Sequence, residues 1–313
     1  MDDIKEVRIT EVSPRDGFQS ISQFIPTEEK IKILNRIINL GFPQVEVTSF
    51  VHPKAVPQMK DADEVLRGIE RPEGVLLRAL VPNLRGLDRA IEAKVDKAKL
   101  MLSATDAHSL HNANAKTFDA MRDFYLLVDR SQGTTVHVSG SISVAFGCPY
   151  EGIVPIERHI EICERYEQYG ITEISLADTT GMANPESIKR IIHGLKEKFP
   201  HFKFSLHLHN TRGMAFANAV AGFQEGIVDF DSALSGLGGC PYAPNASGNI
   251  ATEDIVHGFE EMGIRTNLDL DAIITEARKL ETSFPSYSNS FILKAGKCSD
   301  LHIAPGKQQK IGD

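Results

Sequence analysis

The sequence predicts an α/β fold, a (β/α)8 TIM barrel with an additional C-terminal helical segment, and three observations carry the prediction. Strand-like and helix-like segments alternate from one end to the other, which implies a parallel sheet. Eight strand–helix units fit into about 260 residues, the usual size of such a barrel. No linker rich in Pro, Ser or Gly divides them.

The first strand is EVRITEV (6–12), followed by a helix over the polar stretch 27–40. PQVEVTSF (43–50) is the second strand, with a helix around 62–69. VLLRALV (75–81), rich in apolar and branched residues, is the third, with a helix over 84–93. KAKLMLS (97–103) is the fourth, and a single helix is expected near 115–128. TVHVSGSISVAF (135–146) is the fifth, with a helix over 155–169 that opens on a proline. TEISLAD (172–178) is the sixth, and its helix, 185–198, also starts at a proline. KFSLHLH (203–209) and DFDSALSG (229–236) are the seventh and eighth, with helices over 213–225 and 251–262. A further helical segment is expected near 268–281, so residues 1–282 read as the barrel and 283–313 as a C-terminal extension. A doubly wound open sheet is the alternative. The first strand, however, is not followed by G-x-G-x-x-G, and no P-loop occurs.

Composition narrows the function classes. The 313-residue chain carries a formal net charge of −8 and has 42% hydrophobic residues, enough for a substantial core. An acidic chain with no basic block is a poor binder of nucleic acid or of an anionic membrane. The start, MDDIKEVRIT, lacks the basic and apolar regions of a secretory signal, and no apolar run approaches the roughly 18 residues that span a bilayer. Cys148, Cys163, Cys240 and Cys298 are scattered without a C-x-x-C pair, which argues for reduced thiols and a cytoplasmic location.

Active-site residues of a barrel sit at the C-terminal ends of its strands. Arg15 and Asp16 follow strand one, Glu46 lies on strand two, and Asp178 closes strand six. His207 and His209 share one face near the end of strand seven, and Cys240 and Asn249 follow strand eight. Each has a plainer reading. His-x-His is often just polar strand, Asp16 before a glycine can be a turn residue, and Asp178 can cap the next helix. Glu46 can form a structural ion pair with Arg15, and Cys240 can be a small inert residue. The plain readings weaken together, because all these positions map to one rim. If the histidines are ligands, Asp16 adds a carboxylate and Asn249 an amide carbonyl. That mixed N/O set suits Mg²⁺ or Mn²⁺ with positions left for substrate, and it favours an anionic or oxygen-chelating one.

SPRDGFQ, VEVTSFVHPKAVPQM, FGCPYEG, HLHNTRGMAFAN and GLGGCPYAPNASGNIATEDIV together resemble the 3-hydroxy-3-methylglutaryl-CoA lyases, over residues 6 to 270 or so. The resemblance implies a metal-dependent TIM-barrel enzyme that cleaves a tertiary 3-hydroxyacyl-CoA to acetyl-CoA and a 3-keto acid, using Mg²⁺ or Mn²⁺, and commonly assembled as a homodimer. Asp16, His207, His209 and Asn249 match the family's metal ligands. Arg15, Glu46, Asp178 and Cys240 match its other active-site positions, with Cys240 on a glycine-rich loop that Gly236, Gly238 and Gly239 would let close. In this reading His207 or Asp16 is the base, with His207 favoured. Arg15 holds the thioester oxygen, Cys240 returns a proton to carbon, and Glu46 and Asp178 orient their neighbours.

The chain departs from familiar members in three places. FQSISQFIPTEEK replaces a run with Asn-Glu-Lys, and Phe18 replaces a leucine, near where CoA would bind. Asn210 and Arg212 stand where Asp and Tyr are usual, and Arg212 is a cation expected to meet a carboxylate. A lyase for another branched 3-hydroxyacyl-CoA is therefore an alternative substrate reading. Two other functions compete. A Claisen-type synthase would condense acetyl-CoA with a 2-keto acid, but there is no room for a regulatory domain. A non-catalytic binding barrel would be expected to have lost a ligand, yet all four are present.

Overall fold

Eight parallel strands close on themselves in chain order in the computed structural model, which describes residues 5–239 and 248–301. They are β1 (Arg8–Glu11), β2 (Gln44–Ser49), β3 (Leu76–Leu80), β4 (Lys97–Ser103), β5 (His137–Ser143), β6 (Glu173–Asp178), β7 (Lys203–Leu208) and β8 (Asp229–Ser232). Pairing of β1 with both β2 and β8 makes the closure. The seam is held at its outer end, where Arg8 Nε and Nη2 each donate to the Asp229 carboxylate at 2.7 Å. All six residues of β2 are buried, as expected for a strand covered on both faces.

The helices are α1 (Thr27–Ile38), α2 (Ala62–Gly68), α3 (Leu84–Glu92), α4 (Asp106–Ala113), α5 (Thr117–Ala120), α6 (Phe124–Ser131), α7 (Ile156–Gln168), α8 (Pro185–Lys198), α9 (Ala215–Gln224), α10 (Thr252–Glu261), α11 (Leu270–Ser283) and α12 (Ile292–Ala295). Helix α1 shows why the barrel helices form. Lys30, Ile33, Leu34, Ile37 and Ile38 recur at helical spacing and make its buried face, and Pro26 precedes its first turn. Helix α8 starts at Pro185 behind a capping box, in which the Asn184 side chain accepts from Ser187 N and the Ser187 hydroxyl accepts from Asn184 N.

Two expectations need correction. The single helix expected over 115–128 is instead α5 and α6, preceded by the unexpected α4. Asn114, in the left-handed region at φ 54°, ends α4, and a turn after Met121 separates α5 from α6. Helix α4 was hidden because the residues it buries are His108 and Ser109 rather than an apolar stripe. The eighth strand stops at Ser232, and Leu234–Gly236 form a 3₁₀ turn, with Ser235 at φ 58°.

Residues beyond α11 pack back on the barrel. Phe284 lies 6.1 Å from Phe18 between ring centroids, Asn289 N donates to Ser235 O at 2.7 Å, and the Asp254 carboxylate accepts from Ile292 N at 2.8 Å. Leu293 of α12 is buried in the core.

Candidate active site

A cavity of about 950 Å³ opens at the C-terminal rim of the barrel. Arg15, Asp16, Lys99, His207 and His209 line its inner part, while Ser286, Tyr287, Ser288 and Asn289 line its mouth.

The turn after β1 aims the first two of these. Val12 O accepts from Arg15 N, Asp16 N and, at 3.5 Å, Gly17 N, winding Ser13–Gly17 into one wide π-helical turn. Such turns are frequent at functional sites. Arg15 Nη1 donates to Asp16 Oδ1 at 2.5 Å, and Arg15 Nε donates to Glu46 Oε1. Glu46 is fully buried, and its other oxygen meets Arg78 Nε and, at 3.8 Å, Lys99 Nζ. Burial would push the Glu46 carboxyl up, but Arg15, Arg78 and Lys99 outweigh it and hold it below its ordinary value.

Two strands along the rim from β1, His207 near the end of β7 and His209 just past it lie on one face, with their Nε2 atoms 3.2 Å apart. Asp16 Oδ2 lies 3.8 Å from the first and 3.7 Å from the second. Burial would raise the Asp16 carboxyl, but Arg15 and the two imidazoles hold it well below the usual carboxylate range. Burial, with His207 alongside, pulls His209 down to about 4. His209 can therefore present a lone pair toward Asp16 at neutral pH.

Asn249 reaches the same point because the chain returns alongside β7. His209 and Asn249 form an antiparallel bridge, and Asn210 N donates to Gly248 O at 2.9 Å. Asn249 Nδ2 donates to Asp16 Oδ2 at 2.7 Å and to Leu237 O at 2.9 Å. Both partners are acceptors, so the amide orientation is set, and Oδ1 is left buried with no hydrogen-bond partner. Gly238 makes this possible. A Cβ there would sit 2.4 Å from Asn249 Nδ2, and its φ of 129° lies in the region that favours glycine.

Asp16, His207 and His209 thus form a buried group able to hold a metal ion, with ligand atoms all within 4.8 Å of one another. One carboxylate, two imidazoles and an orphaned amide oxygen are a mixed N/O donor set, and they fit a divalent ion. The set holds no thiolate, and its spacing is not that of structural zinc.

Other sequence expectations fall elsewhere. Asp178 does not line the cavity. Its Oδ1 accepts from Met182 N at 2.8 Å and Ala183 N at 3.1 Å, and burial pushes its carboxyl up to about 6 against those hydrogen bonds. It ties the loop after β6, while Asn184 caps the helix. Arg212 is turned from the cavity, donating to Thr180 O at 2.8 Å and Gly181 O at 3.2 Å, so the expected cation for a substrate carboxylate is not there. Phe18 is buried against Phe284 and faces no ligand space. Cys240 lies outside the described residues. Sequence reasoning missed Arg78, Lys99 and Asp231. For Arg78 the signal was available, since it is the single charge in an otherwise apolar strand, whereas Lys99 and Asp231 lie in strands that carry other polar residues. It also missed His108, whose Nδ1 lies 2.8 Å from Ser103 Oγ on the cavity wall.

A model of the HMGL-like family matches residues 6–280. The chain is 43% identical over 277 residues to a hydroxymethylglutaryl-CoA lyase of Bacillus subtilis, covering 88% of this chain and 93% of that one. It is 38% identical over 305 residues to an (R)-citramalyl-CoA lyase of Chloroflexus aurantiacus, covering 94% and 96%. Among solved structures it is similar to an HMG-CoA lyase of Acinetobacter baumannii in complex with coenzyme A and 3-methylmalate. There the TM-score is 0.92 at 41% identity, covering 97% of this chain and all of that one.

Proposed function

The chain belongs to the HMGL-like family, and from that premise we propose that it cleaves 3-hydroxy-3-methylglutaryl-CoA to acetyl-CoA and acetoacetate, as a divalent-metal-dependent carbon–carbon lyase. The observation that carries this reading is the meeting of Asp16, His207 and His209 beside Arg15 at the inner end of one rim cavity. Mg²⁺ or Mn²⁺ would be held by Asp16, His207, His209 and the Asn249 carbonyl oxygen, supplying Lewis acidity that eases loss of a hydroxyl proton.

The protein's own groups do the rest. His207 and Asp16 are the two groups proposed to take that proton, both buried in the cavity, and His207 serves only while its Nε2 lone pair is not given to the ion. Loss of the proton lets the tertiary alcohol collapse to a ketone and break the neighbouring C–C bond, with the electron pair passing to the thioester as an enolate. Arg15, always protonated, lines the cavity where it can hold the enolate oxygen. Glu46 positions Arg15 by accepting from its Nε. Cys240 is the proposed donor of the proton that completes acetyl-CoA. Asp178 is proposed to act at a distance, by ordering the loop after β6. The acyl-CoA partner, the homodimer and the cytoplasmic location belong to this same proposal. Among the described residues, no helix is long and apolar enough to cross a membrane.

The test is release of acetyl-CoA and acetoacetate from the methylglutaryl thioester by purified protein, with and without added Mg²⁺ or Mn²⁺. Absence of turnover with the metal present rejects the substrate. The second substrate to assay is (R)-citramalyl-CoA, because a relative named for it aligns over nearly the whole chain. Its cleavage at the equivalent bond releases pyruvate instead.

A further inference from the structure

His207 and His209 are equivalent in sequence but not in their surroundings. His209 Nδ1 is buried without a hydrogen-bond partner. His207 Nδ1 lies 3.2 Å from Asp231 Oδ2, and the register of β7 on β8 sets these two residues side by side. Asp231 is itself pinned. Arg78 Nη2 at 2.9 Å and Lys99 Nζ at 3.0 Å reach the same Oδ2 from across the barrel, and the residue is 2% exposed. A carboxylate flanked by two cations accepts and does not donate. The neutral imidazole beside it then carries its proton on Nδ1, leaving a lone pair on Nε2, the atom that faces His209 and Asp16.

We propose that Asp231, which no sequence motif singled out, is a positioning residue that sets the tautomer and ring plane of His207 so that Nε2 is a ready ligand. The proposal rests on the reading of this site as a metal centre. Arg78 and Lys99 serve it by fixing the carboxylate, and Glu46, which also meets both, joins this arrangement to Arg15. The buried set comprises Arg15, Arg78 and Lys99 against Asp16, Glu46 and Asp231. It balances to zero formal charge, so a change at Asp231 alone would alter charge and orientation together.

Paired variants separate the two effects. In Asp231→Ala/Lys99→Met the acceptor is lost with the charge balance kept. Mn²⁺ binding, measured by electron paramagnetic resonance of the free ion, should weaken about 10–100-fold relative to the parent. Asp231→Asn/Lys99→Met has the same net charge but retains an acceptor oxygen, and should recover affinity to within a few-fold of the parent. Parent-like binding by the alanine double variant overturns the proposal, and so does equal weakening in both. ¹⁵N spectra of the histidine-labelled parent without metal, assigned with His207→Gln, read the tautomer directly even if the variants do not fold. The proton is expected on His207 Nδ1, and a proton on Nε2 overturns the proposal. A parent protein that binds no Mn²⁺ would instead reject the metal centre, while the tautomer spectra still decide whether Asp231 directs the His207 proton.

Discussion

Glu46 sits in a strand buried on both faces, where an unpaired carboxylate would cost several kcal/mol. The cations around it repay that cost and, in doing so, tie Arg15 to the barrel wall. Arg15→Gln should lower kcat about 10²–10³-fold, the usual loss when one donor to a developing oxyanion is removed. KM should change far less, and a normal kcat would remove Arg15 from its proposed role. Glu253 makes a different case. It is fully buried, its Oε1 has no partner, and burial pushes its carboxyl from an ordinary 4.5 up to about 8. The folded chain therefore binds a proton that the unfolded chain releases between those values. Stability from this group is fully present below pH 4.5 and is lost as pH rises through 8. Glu253→Gln keeps the neutral shape, so it should gain stability over the parent at pH 9 and not at pH 5, as read by urea midpoints. Parallel curves at the two pH values would contradict this.

At the scale of elements, two local devices can be told apart by what they should affect. The capping box of α8 lies on the exposed side of a barrel helix, so Asn184→Ala should cost about 1 kcal/mol of stability and leave kcat unchanged. Gly238, in contrast, borders the cavity, and its missing side chain leaves space for Asn249 against Asp16. Gly238→Ala should weaken Mn²⁺ binding at least 10-fold with a smaller effect on unfolding, because the displaced group is a proposed ligand. Tight Mn²⁺ binding by this variant would show that Asn249 is not needed. Helix α4 illustrates the limit of periodicity at this scale. Its buried face looks onto ligand space through His108 and Asn112, and a face built to meet a polar ligand carries no apolar stripe.

For the whole molecule, closure of the barrel is what converts distant sequence into one site. Asp16 and Asn249 are 233 positions apart, yet they share a hydrogen bond because β1 pairs with β8. The Arg8–Asp229 pair clamps that seam at its outer end, but Arg8 is 56% exposed there. Arg8→Ala should therefore cost no more than about 1 kcal/mol in urea unfolding and leave turnover intact. A larger loss would mean that the seam depends on this clamp rather than on its backbone ladder. The segment beyond α11 extends the same closure, since Ser286 to Asn289 line the cavity mouth although the sequence offers no motif there.

The chain by itself determined the order and kind of the eight strands, because apolar periodicity and helix-start prolines are local signals. It also determined the rim residues Arg15, Asp16, His207, His209 and Asn249, because chemistry at strand ends stands out against an apolar background. Only the tertiary structure decided what each of them faces. It turned Arg212 away, gave Asp178 to a loop, and revealed the buried lattice of Glu46, Arg78, Lys99 and Asp231. The reason is physical: strand spacing sets which face a side chain is on, but a charge can be buried only beside its partners. In a closed barrel those partners come from across the interior, where no sequence pattern reaches.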